Sequence, residues 1–71
     1  MKLINLKNLQ CPNSLIELKN IICKINKDEL LMIITLDKMA YIDFKVYLDY
    51  INSTILKYEI KDDNHIFLIR K

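Results

Sequence analysis

The sequence predicts an α+β fold, a two-layer α/β sandwich with a four-stranded mixed sheet and both helices on one face. Three observations carry this prediction: alternating apolar runs near both ends of the chain, a continuous apolar run between them, and two stretches with helical periodicity. The predicted order is β-α-β-α-β-β. Residues 1–71 show no linker, internal repeat or low-complexity segment, so we expect a single domain.

The first half of the chain supplies two strands and a helix. Residues 2–6 alternate and predict a short strand. The helix predicted over 12–25 carries apolar residues at spacings of three, four and three: Leu15, Leu18, Ile22 and Ile25. A turn is expected at 26–28. Residues 30–36 form an almost uninterrupted apolar run, which predicts a central strand buried on both sides or nearly so.

The second predicted helix, at 40–52, has one broad apolar face: Ala40, Tyr41, Phe44, Tyr47, Leu48 and Ile51. Ile42 and Val46 point away from that face, one turn apart. An apolar stripe on an outer helix face often marks a partner site, so both are candidate partner contacts. The alternative is that the helix starts later and Ile42 lies in a packed loop.

Two further strands are predicted at 54–61 and 65–70, the first with Leu56, Tyr58 and Ile60 on one side. The sequence Asp62-Asp63-Asn64 between them indicates a hairpin turn. Because the chain has no glycine, its turns must use Asn and Asp, which tolerate positive φ best among the other residues. We expect His65 and the terminal Arg70 and Lys71 to be solvated surface residues.

Composition and charge argue against several classes of function. Hydrophobic residues make up 52% of the chain, and its net charge of +2 comes from interspersed charges. A nucleic-acid-binding domain usually concentrates its basic residues, so direct nucleic-acid binding is not expected. No apolar run approaches the roughly 18 residues needed to span a bilayer, so no membrane role is expected. The N-terminus does not resemble a signal peptide, and we expect a cytoplasmic protein.

Cys11 and Pro12 stand where the first strand gives way to the first helix. Proline fits the first helical position because its missing N–H would have no partner there. Cys11 would then be the N-cap, where the partial positive charge of the helix end favours a thiolate. The pair therefore predicts a reactive cysteine. The alternative is a half-buried structural thiol.

The position of the second cysteine, Cys23, argues against a disulfide and a zinc site. Along one helix Cys11 and Cys23 would lie about 18 Å apart at ~1.5 Å per residue, too far for a disulfide, which needs Cα atoms within roughly 7 Å. The chain has no CxxC pair, and its two separated cysteines and single histidine do not suggest a zinc site. We therefore expect no metal and no cofactor. Cys23 is expected to act as a small apolar residue.

The element order and the placement of Cys11-Pro12 resemble the TusA/SirA family of small sulfur-carrier proteins over nearly the whole chain. The family opens with a pattern of the kind Leu-Asp-x-x-Gly-Leu-x-Cys-Pro-x-Pro, and residues 4–14 here read Ile-Asn-Leu-Lys-Asn-Leu-Gln-Cys-Pro-Asn-Ser. The C-terminal Phe-Leu-Ile-Arg-Lys at 67–71 also matches. The chain departs from the family at several positions: Asn5 replaces Asp, Asn8 replaces Gly, Ser14 replaces the second Pro, and Lys38 and Lys45 replace further prolines.

The resemblance implies that Cys11 accepts sulfane sulfur from a cysteine desulfurase as a persulfide. The sulfur would then pass to a downstream acceptor protein, in the best-known case towards thiolation of a tRNA wobble uridine. Lys19 matches a basic residue that the family often carries on its first helix, and it joins Arg70 as a candidate partner contact. A carrier must expose its cysteine, so a monomer is expected.

Pro12, Asn13 and Ser14 are expected to shape the helix start around Cys11. An N-cap side chain normally accepts a hydrogen bond from the second or third helical N–H. Proline at the third position would remove one of these donors, and Ser14 restores it. We therefore expect an additional N–H···S contact from Ser14 to Cys11.

Two other classes of function stay open. The chain could be a non-catalytic interaction module that keeps the fold, in which case Cys11→Ser would leave its role intact. It could be a small RNA-binding domain, which predicts a basic stripe and salt-dependent binding; the interspersed charges argue against this. Sulfur transfer could also serve sulfur oxidation, selenium metabolism or another thio-cofactor.

Overall fold

The structure, a computed structural model, describes residues 1–10 and 12–71. The described residues form the predicted succession of strands and helices: β1 (Lys2–Asn5), α1 (Asn13–Lys24), β2 (Leu30–Thr35), α2 (Ala40–Tyr50), β3 (Thr54–Lys61) and β4 (Asn64–Arg70). The α+β prediction is confirmed, and each element begins and ends within two residues of its predicted bounds. Because α2 begins at Ala40, the alternative that placed Ile42 in a packed loop is wrong.

The four strands form one mixed sheet in the order β1-β2-β4-β3. β1 pairs in parallel with β2, and β4 pairs antiparallel with both β2 and β3. In β2, buried residues alternate with half-buried ones, so one face of this central strand lies under the helices and the other does not. The prediction that β2 is buried on both sides or nearly so holds fully for the inner face only; the outer face is half-buried, because both helices lie on the other side of the sheet.

The core lies between the inner face of the sheet and the two helices. Its buried residues come from the β1–α1 connection, both helices and the two central strands: Leu6, Leu18, Ile21, Ile22, Ile25, Leu31, Ile33, Ala40, Phe44, Leu48, Phe67 and Ile69. The Phe44 and Phe67 rings lie 5.0 Å apart and join α2 to β4. Burying one such large side chain stabilises the fold by about 1.5–3 kcal/mol.

A β-bulge interrupts the alternation of β3. The register against β4 shifts between Ile55 and Lys57, so Leu56 has no partner in the ladder. Ile55 and Tyr58 pack against the core, whereas Leu56 is 44% exposed and Ile60 60% exposed. Tyr58 and Ile60 lie opposite Phe67 and His65 on the same face, as predicted, but Leu56 does not follow their alternation, because a bulge inserts an extra residue at that point.

Aspartate and asparagine take the turn positions that glycine would usually occupy, as predicted. Asp28, Asn52, Asp62 and Asp63 all have positive φ. Asp62 and Asp63 form the two-residue loop of the β3–β4 hairpin, with φ of 51° and 65°. Two consecutive positive φ values are the pattern of a type I′ turn, whose twist suits a hairpin.

Two residues that were expected to be solvated are held by the fold. His65 is only 7% exposed, and its Nδ1 shares a 2.6 Å hydrogen bond with the Tyr58 hydroxyl. The Lys71 backbone bonds to Glu29 and Asp28, and its Nζ donates to the Ile25 carbonyl oxygen at 2.8 Å. Both corrections have the same origin, since each residue finds a polar partner on a neighbouring element of the fold.

Candidate functional site

The carboxyl ends of β1 and β2 meet at one edge of the sheet, because these strands run in parallel. The Leu6 amide donates to the Ile34 carbonyl oxygen at 2.8 Å and extends this pairing beyond β1. The chain then enters α1 from one strand and α2 from the other. The connecting segments 7–10 and 36–39 line a shared depression of about 390 Å³. Gln10, which precedes Cys11 in the sequence, therefore lies at this edge, here called the helix-start edge.

Cys11 lies outside the described residues. The predictions that it caps α1 and accepts a hydrogen bond from the Ser14 amide therefore stay predictions. The residues on either side of it are described. The Gln10 carbonyl oxygen accepts hydrogen bonds from the Asn13 amide at 2.6 Å and the Ser14 amide at 3.2 Å. The Ser14 amide thus already has a backbone partner.

Pro12 directly precedes α1, which begins at Asn13. The prediction of Pro12 as the first helical residue is therefore wrong by one position. Its carbonyl oxygen accepts the Ile16 amide at 3.1 Å, so Pro12 opens the ladder of backbone hydrogen bonds in the helix. Pro12 and Asn13 are exposed, and Ser14 is only 1% exposed. The helix start thus presents two residues to solvent and buries the third.

The Ser14 side chain connects the two loops at the site. Its hydroxyl donates to Oδ2 of Asp37 at 2.9 Å, across 23 residues of sequence. Oδ1 of the same carboxylate accepts the Met39 amide at 2.9 Å. Since Met39 directly precedes α2, one carboxylate holds the first turn of α1 against the start of α2.

Asp37 is itself fixed by its backbone. Its amide donates to Oγ1 of the buried Thr35 at 3.1 Å, and its carbonyl oxygen accepts the Ala40 amide at 3.2 Å. The sequence contained a signal for this role, since an Asp shortly before a helical stretch is a common N-terminal cap. The link between Asp37 and Ser14 was not predicted, because the sequence does not show which loop the fold places beside the start of α1.

The electrostatics at this edge favour an anion. Both helices begin here, and each helix N-terminus carries a partial positive charge of roughly half an elementary charge. Lys7 and Lys38, both exposed, add positive charge around the depression. Asp37 contributes the opposite charge, which is engaged by the Ser14 hydroxyl and the Met39 amide. A thiolate in this region would be stabilised by the helix ends and the lysines.

The predicted partner contacts occupy different surfaces. Ile42 is 58% exposed and Val46 68% exposed on the outer face of α2, as predicted. Lys19 on α1 is exposed, with its Nζ 5.3 Å from the centre of the Tyr47 ring. Lys19 and Val46 line an apolar groove of about 460 Å³ between the helices. The groove runs back towards the start of α1, since Leu15 in its first turn also lines it.

Arg70 lies apart from the other site residues. It pairs with Leu30 at the beginning of β2, while the loop that holds Asp37 follows the end of that strand. The strand between them spans about 17 Å at ~3.3 Å per residue. Arg70 is exposed, but the fold does not bring it to the helix-start edge.

Cys23 lies in the last turn of α1, at the opposite end from Pro12. It is exposed and has a free thiol. Burial, and to a lesser extent the neighbouring Cys23, raises the pKa of Tyr47 above its ordinary value. Because its thiol is exposed, Cys23 does not act as the small buried apolar residue that was expected. It provides an internal control for experiments on Cys11.

Among residues 1–10 and 12–71, neither helix is both long and apolar enough to cross a membrane. Comparison with family models gives one match, to a model described as Sulfurtransferase TusA, and it extends over residues 2–71. Among curated proteins, no sequence matches the chain significantly. The family match covers both loops of the candidate site and all six elements of the fold.

Proposed function

Because the chain belongs to the TusA family of sulfurtransferases, whose role is to carry sulfur, we propose that Cys11 is the residue that carries it. The observation that supports this most strongly is the position of Cys11 in the sequence, between Gln10 and Pro12. Both neighbours lie where two helices begin at the carboxyl edge of the sheet. Cys23, at the far end of α1, has no such surroundings.

The proposed step is an exchange at sulfur. The Cys11 thiolate attacks the terminal, sulfane sulfur of a cysteine persulfide on the donor protein. A bond forms between Cys11 Sγ and the sulfane sulfur, and the bond between that sulfur and the donor's Sγ breaks. The donor leaves as a thiolate, and the proton stays on the transferred sulfur. Atoms and charge balance without an external oxidant or reductant, as in thiol–disulfide exchange.

The surroundings of the site support this chemistry. The attacking and leaving groups of the exchange are anions, which helix N-termini stabilise. Pro12 and Asn13 are exposed, so the helix start is accessible to another protein. The bond between Ser14 and Asp37 holds the first turn of α1 in place while the surface stays open.

The proposed partners follow from the same chemistry. A cysteine desulfurase in a reducing cytoplasm would load Cys11, and an acceptor protein would remove the sulfur, with tRNA thiolation as one possible destination. Lys19, Ile42 and Val46 border or flank the groove between the helices and are the candidate contacts for these proteins. Lys7 and Lys38 would attract an acidic partner surface to the helix-start edge.

The test is sulfur loading followed by intact-mass analysis. The wild-type chain, Cys11→Ser and Cys23→Ser are each incubated with a cysteine desulfurase and cysteine. We expect the wild type and Cys23→Ser to gain the mass of one sulfur atom, which a reductant removes. Cys11→Ser should gain none. A folded, reduced wild-type chain that gains no sulfur from several desulfurases would contradict the proposal.

The competing function is a non-catalytic interaction module. The exposed apolar residues Ile42 and Val46 favour it, because they provide a binding surface that needs no cysteine. Under this alternative, Cys11→Ser keeps the cellular role, whereas Val46→Lys abolishes it. Under sulfur transfer, Cys11→Ser abolishes the role.

A further inference from the structure

The outer face of the sheet, opposite the helices, carries two adjacent rows of side chains that cross all four strands. The first, here called the Lys57 row, consists of Leu3, Met32, Leu68 and Lys57 in strand order. The second, the Glu59 row, consists of Asn5, Ile34, Ile66 and Glu59. Each row has two apolar residues at its centre and a charged residue at its β3 end, and the two charges are opposite.

The centre of this face is apolar and has no covering layer. Met32 and Ile34 on β2 and Ile66 and Leu68 on β4 are half-buried, although no helix lies over them. Leu3, at the β1 end, is 64% exposed. A depression of about 170 Å³ lies among the β4 and β3 members of the rows and Met32 of β2. A continuous apolar patch with a polar rim is characteristic of an interaction surface.

The two rows are complementary to each other. Ile33, Phe67 and Tyr58 form the line of register that separates them. A twofold axis along this line, between two stacked sheets, would place each row over the other row of a second copy. Lys57 would then lie opposite the partner's Glu59, and this ion pair would occur twice. Met32 would lie opposite the partner's Ile34 in the apolar centre.

We propose that the outer face of the sheet binds a second copy of this chain in a symmetric, face-to-face dimer. The charge pattern supports a second copy over another protein, because an isologous interface requires a surface that is complementary to itself. Within the part of the chain that the structure describes, the ion pair found joins Lys45 to Asp49, so Lys57 and Glu59 are available for an intermolecular pair.

The size of the face predicts a weak dimer. Four strands ~4.8 Å apart and six residues long cover roughly 380 Å², compared with the approximately 800 Å² per partner of a standard interface. Association should therefore depend on concentration. The helices and the helix-start edge lie outside this face, so dimerisation leaves the proposed sulfur-transfer surface open. The dimer replaces the expectation of a monomer at high protein concentration.

The test is the molar mass in solution as a function of concentration, by light scattering or sedimentation equilibrium up to about 1 mM. The wild type should rise from the 8.5 kDa of one chain towards twice that mass. Lys57→Glu should weaken association by about tenfold or more, since it turns both ion pairs into repulsions. Adding Glu59→Lys to Lys57→Glu reverses both charges and should restore association.

The matched control is Lys27→Glu, in the exposed turn after α1. It changes the net charge by the same amount as Lys57→Glu, away from the outer face. We expect wild-type association from this control and a native circular dichroism spectrum from every variant. A wild type that remains at 8.5 kDa throughout overturns the proposal. So does equal weakening by Lys27→Glu and Lys57→Glu, or a double variant that does not recover.

Discussion

The Ser14 hydroxyl donates a 2.9 Å hydrogen bond to Oδ2 of Asp37 and thereby joins the first turn of α1 to the loop that precedes α2. Ser14 is 1% exposed and Asp37 is half-buried, so the hydrogen bond is partly shielded from solvent. The family carries proline at this position, which stiffens the backbone but has no hydroxyl. In this chain, a side-chain hydrogen bond from α1 to the loop before α2 replaces the rigid proline ring of the family.

We expect Ser14→Ala to lower the free energy of unfolding by about 1–2 kcal/mol, because it removes a partly buried hydrogen bond to a charged group. Urea denaturation followed by circular dichroism measures the change. Asn13→Ala, exposed in the same turn, is the matched control and should cost less than about 0.5 kcal/mol. A cost for Ser14→Ala no greater than that of Asn13→Ala would show that the bond does not stabilise the fold.

Asp37→Ala, alone and combined with Ser14→Ala, separates the bond from the burial of each residue. The double variant should lose less stability than the sum of the two single variants, by about 0.5–3 kcal/mol, because both remove the same interaction. Asp37→Ala alone should cost more than Ser14→Ala, since it also removes the acceptor of the Met39 amide. Strict additivity would argue against a direct coupling.

Ser14→Pro, which introduces the residue typical of the family, should destabilise the chain more than Ser14→Ala. Proline removes the hydroxyl and also the amide that donates to the Gln10 carbonyl oxygen at 3.2 Å. The additional loss should be about 1 kcal/mol. The same urea titration compares the two variants. A Ser14→Pro chain as stable as the wild type would mean that proline's rigidity fully replaces both bonds.

The bounds of the helices and strands could be predicted from the sequence, but the contacts between these elements could not. Hydrophobic periodicity predicted the buried faces of α1 and α2, and the Asp and Asn residues predicted the positions of the turns. The bulge at Leu56 was missed because strict alternation cannot reveal an inserted residue. The contacts of Ser14 with Asp37 and of Tyr58 with His65 were missed because each depends on where the fold places side chains.

The hairpin turn offers a stabilising change. Asp62 and Asp63 hold positive φ, which costs roughly 1–2 kcal/mol per residue for an L-amino acid with a Cβ, less for aspartate. Asp62→Asn with Asp63→Gly introduces the preferred type I′ pair and should raise stability by about 1 kcal/mol. Thermal denaturation should show a higher Tm. Asp63→Ala is the control and should lower it; a higher Tm for Asp63→Ala would contradict the turn assignment.

Tyr58 predicts a specific pH dependence. Burial, followed by the effect of Tyr41, raises the pKa of Tyr58 above 10.0 in the folded chain. The unfolded chain therefore loses this proton first, so the contribution to stability is complete below pH 10.0 and is lost as pH rises through the folded pKa. The free energy of unfolding should fall less steeply above pH 10.0 in Tyr58→Phe than in the wild type. Identical slopes would contradict the assignment.

The role of Cys11 is tested most directly by locating the transferred sulfur in the wild-type chain, where Cys11 and Cys23 compete. The chain is loaded by a cysteine desulfurase, alkylated and digested, and the peptides are identified by mass spectrometry. We predict the additional sulfur on the peptide that contains Cys11, while Cys23, although exposed, carries the alkyl group alone. Sulfur on Cys23, or equally on both cysteines, would contradict a carrier site at the start of α1.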